Sequence, residues 1–197
     1  MLIVIFKIIF FLDIFYILGN LIFRIFSKFN IFEKNFNSVS IKFLVSIILV
    51  NNLILFGIKL HYIIILFCFI VIISIYNFYA YKINLRLNHF QSHIKNKNNV
   101  IFLITSIVLF IKIIIEPVQL WDARSIWFYS GKIIYFNNQY LLENFQNDFC
   151  KSCLFLFYPK LIPILSALIA KIMGFWNDYL TKISLFLILL PALIFLK

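Results

Sequence analysis

The chain has 197 residues, 64% of them hydrophobic, with a mean hydropathy of +1.03, whereas soluble domains run at roughly 45–50% apolar. A chain this short has much surface to cover and cannot hide such an excess in one core, so a conventional water-soluble domain is excluded as the expectation. The net charge of +11 does not point to nucleic acid, because the Lys and Arg residues form no block and no single helical face.

A helical span takes about 20 apolar residues. The first candidate span is 2–23, which carries Lys7 and Asp13. It is too long for a signal peptide and lacks a small-residue cleavage site. A basic stretch follows, Arg24 to Lys42. Candidate spans 43–58 and 62–81 are joined by a tight turn at Lys59 and His61. A second basic stretch runs from Lys82 to Asn99 and contains no acid. Candidate span 100–115 leads into the longest polar region, 116–160. Two shorter apolar segments, 161–176 and 183–196, are separated by the turn Asn177–Lys182.

The expectation is therefore an all-α membrane protein with about six transmembrane helices in one domain. Cytoplasmic loops carry an excess of Lys and Arg. That rule puts 24–42 and 82–99 inside, loop 116–160 outside, and the Asn177–Lys182 turn inside. Both termini then lie outside. The partners expected on these grounds are membrane lipid and no nucleic acid.

Loop 116–160 concentrates the chemistry. Its stretch WDARSIWFYSGKIIYF, residues 121–136, is rich in large aromatics. Read as a helix from Ser125 to Phe136, it places Ile126, Tyr129 and Ile133 on one face. Trp and Tyr are at home in the headgroup layer, so this reads as an amphipathic helix lying along the membrane. Asp122 has two readings that stay open. It is an N-cap for that helix, or a general base or metal ligand at the membrane surface. Arg124 stands two residues away, a spacing that does not face it toward Asp122 on a helix, and its guanidinium suits phosphate. Lys132, Tyr158 and Lys160 complete the candidate binding set for a lipid-linked phosphate.

Cys68 lies in an apolar run and behaves as a small hydrophobe. Cys150 and Cys153 form a lone C-x-x-C with no second pair, which argues against zinc. A disulfide between them and two incidental thiols both remain open.

The stretches WDARSIWFYSGKIIYF and YPKLIPILSALIAKIMGFWNDYLTK (158–182) resemble the N-terminal part of bacterial GT-C class membrane glycosyltransferases. These are related to the dolichyl-phosphate-mannose-protein mannosyltransferases and the aminoarabinose transferases. The resemblance covers about 120–182. It implies transfer of a sugar from a polyprenyl-phosphate donor to an acceptor outside the cytoplasmic (inner) membrane, with inversion at the anomeric carbon. It implies that Asp122 is the essential loop acid and that Arg124 is the basic residue beside it. Tyr158, Pro159, Leu161 and Pro163 match a YP-x-L-x-P element; Gly174, Trp176, Asn177 and Tyr179 match a turn of structural type. Where the relatives read roughly His-Pro-Asp before the Tyr-Pro, this chain reads Phe155, Leu156 and Phe157. Members of the class also have more than six spans. The chain thus reads as the N-terminal piece of such an enzyme, with a partner chain supplying missing helices, or as a non-catalytic accessory or relict membrane protein. Need for a divalent metal is left open.

Overall fold

The computed structural model describes residues 2–27, 39–80, 97–117, 127–140 and 159–195. Among these the chain is all helical, as the sequence leads one to expect. The helices are α1 (Leu2–Ser27), α2 (Val39–Leu55), α3 (Leu60–Ala80), α4 (Lys97–Ile115), α5 (Tyr129–Asn137), α6 (Leu161–Met173) and α7 (Ile183–Phe195). A 3-10 turn, Leu180–Lys182, precedes α7. One stretch, Phe6–Phe23 in α1, is long and apolar enough to cross a membrane; the described apolar parts of other helices are 10–17 residues long.

α1 and α2 pack most closely. Gly19 makes this possible: a Cβ there would stand 2.1 Å from the Lys42 carbonyl oxygen. Small residues at such contacts let two backbones approach. Lys42 is thus inside α2 rather than in the basic loop that its charge suggests. It is buried, with its ammonium 6.0 Å from the centre of the Tyr16 ring. A cation over an aromatic face keeps part of its electrostatic stabilisation when water is removed.

Phe11, Phe15 and Phe67 bring α1 and α3 together, with edge-to-face ring centroids 4.9 to 6.4 Å apart. Ile47, Val50 and Ile54 of α2 and Ile164, Leu165 and Leu168 of α6 complete the same core. Away from that core, the outer faces are as apolar as the inside. On α3, Ile65, Phe69 and Ile72 are exposed; on α4, Leu103, Ile104 and Val108 are each more than half exposed.

The two ends of the bundle differ. At one end the Ser40 hydroxyl of α2 donates to the Pro191 carbonyl of α7. At the other, Lys182 Nζ donates to the carbonyls of Ile114, at 2.8 Å, and Glu116. An ammonium is well placed on the orphan carbonyls and negative dipole end of a helix C-terminus. Lys7 does the same for α6, donating to the Met173 carbonyl at 3.0 Å. This gives Lys7 a structural role.

The Lys182 contact overturns one expectation. Six alternating spans would put Asn177–Lys182 at the end opposite Glu116; the two are in contact. The reason is α6, expected as the fifth span over 161–176. With 13 residues it rises only about 20 Å, against about 30 Å of bilayer hydrocarbon. It also runs beside the short helix α5. The Pro163 carbonyl lies against Gly131, and the Tyr135 hydroxyl donates to the Gly174 carbonyl at 3.3 Å. Both ends of α6 therefore stay close to the bundle end that carries α5.

Candidate functional site

Of the residues singled out from sequence, Asp122, Arg124 and Tyr158 lie outside the described residues, as do Cys150, Cys153 and Phe155 to Phe157. Lys132, Lys160 and the 174–182 turn are described. Cys68 is exposed and unbridged.

α5 follows a π turn at Trp127–Phe128. Its N-cap position is held by Phe128, which makes no side-chain cap. Asp122 lies outside the described residues. Ser130, Gly131 and Ile134 are buried, and Phe128 is too, while Tyr129 is exposed. Shape decides this, not hydrophobicity. A Cβ on Gly131 would sit 2.8 Å from Cη2 of Trp176 and 3.1 Å from the Pro163 carbonyl oxygen. Only glycine lets α5 lie this close to α6.

That approach sets Lys132 against the turn beyond α6. Its Nζ is 3.3 Å from Asp178 Oδ1 and 5.9 Å from the Trp176 ring centre. Trp176 Nε1 donates to the same carboxylate oxygen at 2.7 Å. Tyr135 lies 6.0 Å from Trp176, centroid to centroid, and Lys171 stands over its other neighbourhood, 5.8 Å from the Tyr135 ring centre. The result is a cluster of two aromatic rings, two ammonium groups and a carboxylate. Asp178 was not singled out from sequence. The only signal for it was an acid two residues after Trp176 in a chain with seven acids.

The turn is built from its own residues. Gly174 ends α6 at φ +90°, a conformation glycine adopts without strain, and its amide donates to the Ala170 carbonyl at 2.9 Å. Asn177 Oδ1 accepts the amides of Tyr179 and Leu180 at 2.9 and 3.0 Å, a side-chain mimic of a backbone turn. Ser166 and Ser184 hydroxyls meet at 2.8 Å and tie α6 to the start of α7. Across the cluster, Asn138 at φ +60° closes α5, and its carbonyl accepts the Leu60 amide at 2.8 Å. Its side-chain amide meets Nδ1 of His61.

The Lys132–Asp178 pair is half exposed, and such pairs contribute about 0–1 kcal/mol. Asp178→Asn should therefore shift the thermal midpoint in detergent by only a few degrees. A loss of ten degrees or more would show that the pair is a structural clamp.

Lys160 sits at the start of α6 and is buried. Burial lowers its pKa from the usual lysine value. The folded protein therefore releases this proton before the unfolded chain does. Stability rises with pH from the lowered value up to the ordinary one near 10.4, and the burial penalty is fully present below that window. A thermal midpoint that climbs between neutral pH and about pH 10, with the climb absent in Lys160→Met, is the expected result. Tyr140, also buried, has its pKa raised by burial, so its phenol stays neutral through the same range.

Among the described residues no group of three or more His, Cys, Asp or Glu side chains converges. No family model, no curated protein and no solved structure matches the chain.

Proposed function

We propose that this chain is a multi-span integral membrane protein of the bacterial cytoplasmic membrane. In this reading it is a glycosyltransferase, or the N-terminal part of one, that moves a sugar from a polyprenyl-phosphate donor to an acceptor on the outer face. The membrane reading rests on the apolar outer faces of α1, α3 and α4, which a water-soluble protein does not expose on this scale, and on the basic stretches that flank them.

One observation carries the transferase reading. The two segments whose sequences resemble the GT-C class are about 20 residues apart in the chain, and they pack as one unit. Gly131 meets Pro163 and Trp176, Tyr135 meets Gly174, and Lys132 meets Asp178. Loop 116–160, with Asp122 and Arg124, starts from this same end at Glu116.

In the proposed reaction the acceptor hydroxyl attacks the anomeric carbon, and Asp122 takes the hydroxyl proton. The bond from that carbon to the donor's phosphate oxygen breaks, and polyprenyl phosphate leaves with the bonding pair. Arg124, Lys132, Tyr158 and Lys160 are the proposed phosphate and donor contacts. If a divalent ion takes part, Asp122 is the residue proposed to hold it.

The second reading, a non-catalytic accessory or relict protein, is favoured by Phe155, Leu156 and Phe157 standing where the class carries polar residues. The protein in vesicles, given a panel of labelled polyprenyl-phosphate sugars, separates the two. Chain-dependent release of polyprenyl phosphate supports the transferase. Failure with every donor supports the accessory reading.

A further inference from the structure

In α1, Asp13 is exposed, near the middle of the stretch Phe6–Phe23 that qualifies as a span. It makes no hydrogen bond or ion pair with the described residues; Lys7, the other charge in that stretch, is committed to the Met173 carbonyl. Phe6, Ile9 and Asp13 share one stripe, at the i, i+3, i+7 spacing. Phe6 and Ile9 are 70% and 53% exposed.

Beside this stripe an apolar groove of about 220 Å³ opens between α1 and α4 over α7. Ile8, Ile9, Leu12, Ser106, Phe110 and Phe186 line it. Phe110 and Phe186 meet edge to face at 5.0 Å and form its floor. Ser106 creates the space, being the small residue one turn from Phe110. It is 9% exposed, and its buried hydroxyl has no hydrogen-bond partner among the described residues. A cavity of about 150 Å³ already accepts a benzene ring, so this groove takes a large apolar side chain as a knob.

We propose that the groove and the Phe6–Ile9–Asp13 stripe are the docking site of a transmembrane helix from another chain. Its chemistry is set by what it must satisfy. It is apolar, with a large side chain for the groove and one cationic residue facing Asp13 at mid-depth. A carboxylate facing lipid is costly, and intramembrane acids are found facing partner helices or cavities. A cationic helix removes that cost and closes the groove in one step. The inference rests on the membrane reading above and does not depend on sugar transfer.

The test uses the full chain in phosphatidylcholine vesicles and two synthetic 21-residue Leu/Ala transmembrane peptides. One has a single central Lys and the other Leu at that position. Association is read by energy transfer between a dye on the protein and one on the peptide. The Lys peptide is expected to bind about tenfold more tightly. That preference should vanish in Asp13→Leu, while Ser106→Phe, which fills the groove, should weaken both peptides several-fold. Equal binding of the two peptides, or a preference unchanged by Asp13→Leu, overturns the proposal and leaves the membrane reading intact. Release of the chain from vesicles by an alkaline carbonate wash overturns both.

Discussion

Asp122→Asn is expected to lower polyprenyl-phosphate-dependent sugar transfer by about 10²–10⁴-fold, the range that a positioned general base supplies. Insertion and yield should be unchanged. Acids are scarce, seven against 18 bases, and this one stands between Trp121 and Ala123. The other reading, a cap for the helix that follows, predicts instead a loss of stability with transfer chemistry intact. α5 is held by packing through Gly131 and Ile134. A carboxylate at that position is able to accept a proton. The amide of Asn is nearly the same size but does not accept one at neutral pH. A transfer rate in Asp122→Asn equal to that of the natural chain would remove Asp122 from the chemistry. A drop accompanied by loss of membrane-inserted protein would assign it to folding.

Gly19→Ala is expected to have the largest effect on the fold. The added carbon would lie 2.1 Å from the Lys42 carbonyl oxygen and 2.6 Å from its carbon. These are backbone atoms of a helix, so no rotamer change relieves the clash. α1 and α2 must move apart, and the Tyr16–Phe43 ring contact at 6.0 Å moves with them. Overpacking commonly costs about 1–3 kcal/mol, against total stabilities of about 5–15 kcal/mol. The thermal midpoint and the monodisperse yield in detergent should both fall sharply, and Gly19→Leu should give little folded protein. Gly57→Ala is the control. Nothing lies within 4 Å of a Cβ there, and only its φ of +86° opposes the change, so a loss of about 1 kcal/mol is expected. An unchanged midpoint in Gly19→Ala would mean that the close approach of α1 to α2 is not a feature of the folded protein.

The helices were legible because long apolar runs leave little alternative, though Gly57, read as part of span 43–58, stands in the turn after α2. What was not legible depended on contact. Lys42 looked like loop charge, yet it lies within α2 because Tyr16 receives its ammonium. Residues 161–176 looked like a span, since 16 mostly apolar residues match that pattern. Their placement beside α5 follows from the missing side chain of Gly131, and hydropathy does not register a missing side chain. The buried face of α5, Ser130, Gly131 and Ile134, was not legible for the same reason: fit at Gly131 selects it, and periodicity marks only the apolar stripe of Tyr129 and Ile133. Asp178 became notable only once the turn brought it to Lys132 and Trp176.

If the chain is the membrane protein proposed above, α5 and the 174–182 turn share one face of the membrane, opposite the start of α2. The direct measurement is labelling with a membrane-impermeant maleimide in sealed vesicles of known orientation, with Cys68, Cys150 and Cys153 replaced by Ser. Single cysteines go in at three exposed positions: Phe136, Phe175 and Val39. Phe136→Cys and Phe175→Cys are expected to react from the same side and Val39→Cys only from the other. Reaction of Phe175→Cys together with Val39→Cys, from the side opposite Phe136→Cys, would contradict that arrangement and restore α6 as a span.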